Sequence, residues 1–445
     1  MDRSQAEAIV QKTLALSTAA ETEVILSHGE ENLTRFSNNA ISQNVARNTD
    51  SLTIKVHLGK KVGRTTTDRF DDESLRGALQ NACNVAEQQT ENPELLPLLG
   101  QSDFPLVDYF NQETAAYSPQ KRALTIKSIV DIAKQEKAEL AGIFSTGSEA
   151  VALGNSAGLF AYYRSTTATL SATAEIAGQS GWADDNSRDV TKIDAERVVA
   201  TALEKASLAQ NPEPIDPGDY CVVLEPAAVS DFLMFMVWEG FGGLNFNEGR
   251  SFMTGKLGEK ILGDNVTIID DAFSASNPGL PFDFEGVPRQ KITLIENGIA
   301  RAAVHDRYTA LKAGVASTGH SLPQPNSAGP LALNVSIEPG QSSLQEMISS
   351  TEKGLLVTHF HYTNVLDPVT LTLTGMTRDG TFLIENGKVT RPVRNLRFTD
   401  NIVEAFNHVE AISRDRKTVE AFFEGSFVAP AMKLSKFHFS SVSEF

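Results

Sequence analysis

Cysteine, long apolar runs and clusters of basic residues are scarce in this sequence of 445 residues. Only Cys83 and Cys221 are present, which excludes a disulfide framework and a four-cysteine metal site. The longest apolar run, residues 232–238, is far shorter than the ~20 residues that span a bilayer. Residues 1–16 carry charges where a signal peptide needs an apolar segment. We therefore expect a cytoplasmic protein.

Negative charge exceeds positive charge along the chain. Lysine and arginine number 39 against 56 aspartate and glutamate residues, which gives a net charge of −17 at pH 7. No basic segment offsets this excess, so the phosphate backbone of a nucleic acid and an anionic membrane surface would both be repelled. The sequence predicts no nucleic-acid partner and no membrane partner.

The length and the hydrophobic fraction of 41% predict two or three domains with substantial cores. A capping box that starts at Ser4 predicts a first helix ending near Thr18, and residues 72–87 carry a second helical stripe. Between these helices the apolar residues recur with a period of two, which indicates strands. The predicted strands are residues 23–28, 33–36, 42–47 and 52–58.

The same order of predicted helices and strands occurs twice in the N-terminal half of the sequence. The segment Asn38-Asn39-Ala40 matches Asn155-Ser156-Ala157 at an offset of 117 residues, and a helix beginning at Ser118-Pro119 corresponds to the first helix of the chain. A helix over residues 193–208 closes the second copy. We therefore predict an N-terminal domain, residues 1–212, that consists of two helix, antiparallel-strand, helix repeats.

A proline-rich connector at residues 210–218 separates this domain from a strand-rich region. In that region residues 227–240 and 342–350 are predicted helices. Two similar segments place Asn297-Gly298 and Asn386-Gly387 between alternating apolar residues, a pattern typical of tight hairpins. The sequence thus predicts an α+β fold whose C-terminal domain, residues 213–445, is mainly antiparallel β and forms a sandwich or a barrel-like sheet.

The segment Gly154-Asn155-Ser156-Ala157-Gly158 matches the nucleophile motif G-x-S-x-G. That motif works where a strand turns sharply into a helix. Here strands are predicted on both sides, and the first repeat has no serine at the matching turn. We interpret the segment as a hairpin, and no catalytic residue is predicted.

Two histidines form a candidate metal site. His359 and His361 are two residues apart on a predicted strand, so both imidazoles share a face and could supply two zinc ligands. If the strand is regular, Val357 shares that face as well. A third ligand would come from elsewhere, and the candidates are His320, His408, Glu239 and Asp367. The alternative, which we favour, is a polar strand face that lines a cleft or an interface.

The second domain also carries motifs of a known family. They are Phe282-Asp283-Phe284-Glu285-Gly286-Val287-Pro288, Ser317-Thr318-Gly319-His320, Pro339-Gly340 and Gly375-Met376-Thr377-Arg378-Asp379-Gly380-Thr381-Phe382. With these motifs the chain resembles, over nearly its whole length, the TldD/PmbA family. Its members are called modulators of DNA gyrase and are classed as zinc metallopeptidases. The net charge of −17 gives the implied contact with nucleic acid no support.

In the active branch of that family a helix carries an H-E-x-x-x-H signature, whose histidines bind zinc and whose glutamate would polarise the attacking water. A cysteine on a later strand completes the zinc site. The signature should fall within residues 235–240 here and the cysteine at about Val357. Those positions hold Phe-Met-Val-Trp-Glu-Gly and valine. The resemblance therefore implies a protein of the PmbA/TldE-type branch that lacks the standard zinc site.

The resemblance implies that this chain is a non-catalytic subunit of a cytoplasmic metallopeptidase and needs no cofactor of its own. Its partner would be a TldD-like catalytic subunit, and the substrate would be an unstructured peptide. Two alternatives stay open. One is a self-sufficient metallohydrolase with a metal site rebuilt at His359 and His361. The other is a non-enzymatic, peptide-binding homodimer.

Overall fold

The computed structural model describes residues 1–105, 107–420 and 426–443, and its strands form two sheets. The helices are α1 (Arg3–Leu16), α2 (Asp72–Gln88), α3 (Gln112–Ala115), α4 (Pro119–Gln135), α5 (Ala195–Leu208), α6 (Pro226–Met236), α7 (Gly243–Asn247), α8 (Arg307–Ala313), α9 (Leu344–Ser349) and α10 (Ile402–Asn407). The strands of the first sheet are β1 (Glu21–Ser37), β2 (Ala40–Leu58), β3 (Lys61–Thr67), β4 (Glu139–Asn155), β5 (Phe160–Ile176) and β6 (Gln179–Ser187). The strands of the second sheet are β7 (Gly218–Leu224), β8 (Ile268–Asp270), β9 (Ile292–Glu296), β10 (Ile299–Ala300), β11 (Val335–Ile337), β12 (Lys353–Asp367), β13 (Thr372–Glu385), β14 (Lys388–Pro392), β15 (Leu396–Asn401), β16 (Val409–Glu420) and β17 (Ser426–Val442).

The first sheet has the strand order β3-β2-β1-β4-β5-β6, and each neighbouring pair is antiparallel. Each predicted repeat supplies three consecutive strands and the helices that flank them, so the prediction of two repeats is confirmed. The repeats meet where β1 pairs with β4, from Glu23 opposite Asn155 to Phe36 opposite Gly142. The segment at residues 154–158 is the turn between β4 and β5, which confirms the hairpin interpretation.

Two details of the first repeat differ from the predictions. The four short predicted strands are two long ones, because β1 continues through Gly29 and pairs along its whole length with β2. Backbone hydrogen bonds of a ladder do not depend on the side chains, so polar residues did not end the strand. The N-cap of α1 is Asp2 rather than Ser4, and its carboxylate accepts the Gln5 N–H at 2.8 Å.

The helices of each repeat cover a core on the sheet, and in each repeat a glycine lets the closing helix lie directly on the third strand. A Cβ at Gly63 of β3 would lie 1.9 Å from the carbonyl oxygen of Ala82 in α2. A Cβ at Gly181 of β6 would lie 2.3 Å from the carbonyl oxygen of Ala202 in α5. The same close approach thus occurs at matching places in both repeats.

The second sheet is mainly antiparallel, as predicted, with parallel pairs at β7–β12 and β11–β17. Strand β17 pairs with both β15 and β7, so β17, β15, β13, β12 and β7 close a ring, which agrees with the barrel-like prediction. The hairpins at Asn297-Gly298 and Asn386-Gly387 are confirmed, and all four residues have positive φ. No helix in the described part of the chain is long and apolar enough to cross a membrane.

The two sheets contact each other where β6 faces β12 and β13. The Ser180 hydroxyl donates to an oxygen of Asp379 at 2.5 Å, and the ring of Trp182 stacks on His359 with centroids 4.8 Å apart. Farther along β6, Asp184 forms an ion pair with Lys417 of β16. These contacts place one of the predicted site histidines at the boundary between the two sheets.

Candidate functional site

Helix α6 and strand β12 lie side by side, and they carry the positions at which the resemblance implies a zinc site. The N–H of Glu225, which precedes α6, donates to the carbonyl oxygen of Val357 at 3.0 Å. Asp231 of α6 accepts the N–H of Phe360 at 3.0 Å. Burial raises the pKa of Asp231 to about 6, although His359 and the Phe360 N–H act in the opposite direction. Two hydrogen bonds to the backbone of β12 therefore fix α6 along this strand.

Residues 235–240 are packed as core rather than open as a site. Phe235, Met236 and Val237 are 5%, 0% and 3% exposed. The predicted helix over residues 227–240 ends as an α-helix at Met236 and continues as a π-helical turn, Val237–Phe241. A Cβ at Gly240 would lie 1.9 Å from a ring carbon of Phe252, so this phenyl ring fills the space beside the turn. These buried apolar side chains and the Phe252 ring therefore fill the space around residues 235–240.

The structure corrects the predicted grouping of Val357 with the two histidines. The pairing of β12 with β13 is irregular between Val357 and His359. Val357 is fully buried in the same core cluster as Phe360, the residue between the two histidines. Because neighbouring residues of a strand point to opposite faces, the face of the histidines is not the face of Val357.

Both histidines already have partners. The Nε2–H of His359 donates to Asp379 at 2.9 Å, and the His359 ring stacks on Trp182. Nε2 of His361 accepts from the Arg378 guanidinium, and burial together with that positive charge lowers the pKa of His361. These contacts give each imidazole a polar partner and place His359 at the boundary between the two sheets.

The four candidates for a third ligand lie apart from this pair. His320 is buried beside Asp270, and Asp367 accepts the N–H of Val369 in the turn after β12. His408 lies 3.7 Å from Glu404, and Glu239 lies in the π-helical turn. Within residues 1–105, 107–420 and 426–443, no group of three or more His, Cys, Asp or Glu side chains could hold a metal ion. The metal site at His359 and His361 stays a prediction.

A buried polar network that the sequence did not reveal lies under the family motifs. Asp270 at the end of β8 is 0% exposed, accepts Arg289 at 2.8 Å and His320 at 3.0 Å, and also accepts the Asn334 N–H at 2.9 Å. Burial opposes ionisation of Asp270, but the neighbouring charges outweigh burial and hold the pKa of that carboxyl below its usual range. Burial, with Arg289, lowers the pKa of His320. The charged pair is therefore Asp270 with Arg289.

Two of the motifs interlock on this network. The carboxylate of Asp283 accepts the N–H groups of Glu285 and Val287 within its own loop and the N–H of Ser321 from the other, each at 2.9 Å. Gly319, at φ +75°, lies against the backbone of Pro288, where a Cβ would be 2.4 Å from the carbonyl oxygen. These motif residues build a loop pair, and in the described part of the chain none of them belongs to a group of three or more potential metal ligands.

Family models for the PmbA/TldA metallopeptidase match most of the chain. Domain 1 matches residues 22–86, the central domain matches residues 112–210, and the C-terminal domain matches residues 217–441. The chain belongs to the PmbA/TldD family. The first two of these domains correspond to the two repeats of the first sheet, and the third contains all strands of the second sheet except the last residue of β17.

Individual relatives agree with this membership. The chain is 29% identical to a metalloprotease TldD homolog from Buchnera aphidicola over 53% of its own length and 49% of that protein, so it spans about half the length of that relative. It is 24% identical to metalloprotease PmbA of Escherichia coli O157:H7 over 94% of its own length and 92% of that protein. The crystal structure of TldE from Thermococcus kodakarensis has the same fold, with a TM-score of 0.88 at 22% identity, and the match covers 98% of this chain and 99% of that one.

The zinc ion that a metallopeptidase family implies does not fit the residues present in α6 and β12. Three of the positions at the expected signature are the buried apolar side chains of Phe235, Met236 and Val237, and Val357 offers no ligand atom. Zinc in proteins is bound by cysteine thiolate, histidine nitrogen or carboxylate oxygen. Glu239 alone at this segment has such an atom, and burial raises its pKa, which opposes the anionic form that a ligand needs. The side chains at the positions that the resemblance implies therefore do not fit a zinc ion.

Replacing Glu285 with glutamine should stabilise the protein, and more at pH 8 than at pH 5. Burial raises the pKa of Glu285 to about 7, and the carboxylates of Asp283 and Asp306 act in the same direction. A carboxyl whose pKa is higher in the folded state destabilises the fold increasingly as the pH rises from about 4.5 to about 7, and the effect then levels off. Glutamine avoids this loss and can still accept the Arg307 N–H, which Glu285 accepts at 3.0 Å.

We expect the gain in the free energy of unfolding of E285Q to be about 2 kcal/mol larger at pH 8 than at pH 5. Urea unfolding followed by circular dichroism at both pH values measures it. The exposed Glu259 provides the matched control, and E259Q should show no such difference between the two pH values. An equal gain for E285Q at both pH values would contradict a raised pKa.

Proposed function

We propose that this chain is the zinc-less subunit of a peptidase assembly, in which it pairs with a catalytic relative that carries H-E-x-x-x-H. The observation that carries the proposal is the packed apolar segment at residues 235–240, which stands where the family resemblance implies the zinc signature. Alignment with PmbA over nearly the full length of both chains supports the same branch of the family. The subunit would help to form the chamber that holds an unstructured peptide.

Peptide capture by strand addition would suit this role, because main-chain hydrogen bonds need no particular side chain. Strand β3 lies at one end of the first sheet, next to the cleft between the two domains. An extended peptide at such an edge would be held largely independently of its sequence. The proposal therefore includes broad tolerance of peptide sequence and a requirement for unfolded substrates.

Co-expression tests the proposal. The untagged chain should copurify with a tagged TldD-type relative from the same organism, and peptidase activity on an unfolded protein should need the relative in the mixture. As the matched control, a relative whose signature glutamate is replaced should still bind this chain but should cleave nothing. If the chain forms only a homodimer and does not bind the relative, the heterodimer proposal is wrong and the peptide-binding homodimer is favoured.

Metal content separates this proposal from the metallohydrolase that His359 and His361 would support. We expect the purified chain, dialysed without chelator, to contain far less than one zinc, manganese or iron per chain by elemental mass spectrometry. Close to one metal per chain, lost in the H359A/H361A variant, would instead establish a relocated site. Because the ring of His359 also contacts Trp182, circular dichroism must show that the variant is folded.

We also propose a cytoplasmic location. The two cysteines, Cys83 and Cys221, are both free in the structure. Free thiols persist in compartments that keep cysteine reduced. Fractionation of cells that express the untagged chain measures the location, and recovery from the periplasm or from a membrane fraction would contradict it.

A further inference from the structure

A cleft of about 340 Å³ lies between the open face of the first sheet and the loops around the start of α8. One wall consists of side chains on β1, β2 and β3. The opposite wall includes Phe284, Glu285 and the residues from Asp306 to Thr309. Small-molecule sites in proteins are often clefts of about 300–1,000 Å³ at domain interfaces. The location and size are therefore those of a ligand site, and the side chains decide which ligand fits.

The sheet wall carries a row of charges across three strands. Glu23 of β1 lies opposite Lys55 of β2, and Lys55 lies opposite Arg64 of β3. The ammonium of Lys55 forms an ion pair with Glu23 at 2.6 Å, so these two charges compensate each other. Arg64 is left as the surplus positive charge of the row.

Arg64 lacks the partners that a partly buried guanidinium needs. Its Nε is buried without a hydrogen-bond partner, and no ion pair within the described residues includes it. Burial lowers the pKa of Arg64, and Glu23 compensates only in part. A planar guanidinium with free N–H groups is suited to binding a carboxylate through two parallel hydrogen bonds.

His57 places an unused hydrogen-bond acceptor on the same wall. Nδ1 of His57 lies 2.6 Å from Glu21, while Nε2 is buried and has no partner. Burial lowers the pKa of His57, so the ring is neutral and carries one proton, which Nδ1 donates to Glu21. Nε2 then presents a lone pair that an N–H group of a ligand would satisfy. His57 is 3% exposed, so leaving this atom unpaired is costly.

Arg64 and His57 are diagonal neighbours on the sheet, because His57 pairs with Val62 and Arg64 pairs with Lys55. Diagonal positions on adjacent strands are about 7–8 Å apart. One amino-acid residue of a ligand could bridge that distance with a carboxylate at one end and an N–H at the other. The C-terminal residue of a peptide has this pair of groups.

The opposite wall limits the charge that the cleft accepts. Glu285 and Asp306 both line it, while Arg307 uses its guanidinium to donate to the carbonyl oxygen of Pro97 at 2.9 Å. A ligand with several negative charges, such as a nucleotide, would be repelled by these two carboxylates. A single carboxylate close to Arg64 would not need further positive charge.

We propose that the cleft between the two domains binds the C-terminal residue of a peptide, with its carboxylate on the Arg64 guanidinium and its amide N–H on Nε2 of His57. The proposal deepens the proposed function and rests on it for the ligand class, since it names the end of the peptide that this subunit would hold. It concerns the chain alone, so loss of peptide binding and loss of pairing with a catalytic relative are separate results.

Four probes test the two contacts by calorimetric titration into the full chain. Acetyl-trialanine has both the carboxylate and the amide N–H and should bind. Its C-terminal amide lacks the carboxylate, and the analogue methylated on the last peptide nitrogen lacks the N–H. Each should bind about tenfold or more weakly, because each leaves one buried polar group unpaired. Inorganic phosphate, the fourth probe, should bind more weakly than acetyl-trialanine.

Substitutions test the same contacts from the side of the protein. R64Q should weaken binding of acetyl-trialanine about tenfold or more and should no longer distinguish it from its amide. Arg47 lies on β2, is exposed, and is the matched control, so R47Q should bind as the unaltered chain does. The proposal is overturned if acetyl-trialanine does not bind at millimolar concentration, if phosphate binds more tightly, or if a folded R64Q variant binds unchanged.

Discussion

D270N should lower the free energy of unfolding by about 3–5 kcal/mol, since it removes the negative charge from a fully buried pair with Arg289. The asparagine could keep the N–H of Asn334 as a donor, but the guanidinium would stay buried without a counter-charge. Both loops that carry the family motifs depend on this network, because Arg289 and His320 each come from one of them. We therefore expect a loss of structure that is local to the second domain first.

Urea unfolding followed by circular dichroism measures the effect, and Asp264 supplies the control. Asp264 pairs with Lys260 at 2.6 Å, but its side chain is 82% exposed. Exposed pairs contribute little, so D264N should cost less than about 0.5 kcal/mol. A loss below about 1 kcal/mol for D270N would show that the network is not an essential support of the fold.

F232A should cost about 3–5 kcal/mol, the usual range for deleting a buried phenyl ring. Phe232 of α6 is fully buried, and its ring centroid lies 4.9 Å from that of Phe360 on β12 and 5.7 Å from that of Phe398 on β15. It also lies 5.8 Å from the ring of Phe437 on β17. The side chain thus joins α6 to three strands of the closed ring, and alanine would leave a cavity among rigid aromatic groups.

F232L is the matched control, because leucine keeps most of the buried hydrocarbon while losing the aromatic contacts. We expect its cost to be about 1–2 kcal/mol in the same urea experiment. A cost for F232A no greater than that for F232L would show that the neighbouring side chains collapse into the space. In that case α6 would be less firmly held than its packing indicates.

The sequence could predict the parts of the fold that local chemistry determines. The Asn-Gly pairs at residues 297–298 and 386–387 adopt the positive φ values that tight hairpins need, whatever surrounds them. Ser118 caps α4 with Pro119 in the first turn, as predicted. The lengths of β1 and β2 could not be predicted, because the polar middle of β1 pairs with β2 and β4 and that of β2 pairs with β1, whatever their own strand propensity.

The buried network at Asp270 and the contact between the two sheets join distant parts of the chain. The sequence alone therefore could not predict them. Asp270 meets Arg289 and His320 across 19 and 50 residues, and no pattern around Asp270 distinguishes it from an aspartate at the end of any buried strand. The contact of His359 with Trp182 joins the two domains. The absence of histidine and cysteine from residues 235–240, in contrast, is readable from the residues themselves, and these two residue types are the usual nitrogen and sulfur ligands of zinc.

The pairing of β1 with β4 has a consequence for how the two repeats can be combined. Its pseudo-twofold axis falls between Glu30 and Glu31, which lie opposite Ser148 and Gly147. If a second copy of the first repeat replaced the second repeat, each of these glutamates would face a glutamate across the axis. Like charges directly opposite each other on neighbouring strands destabilise pairing. The small residues of the second repeat therefore make the halves complementary, whereas Glu30 and Glu31 oppose self-association of the first repeat through its own edge.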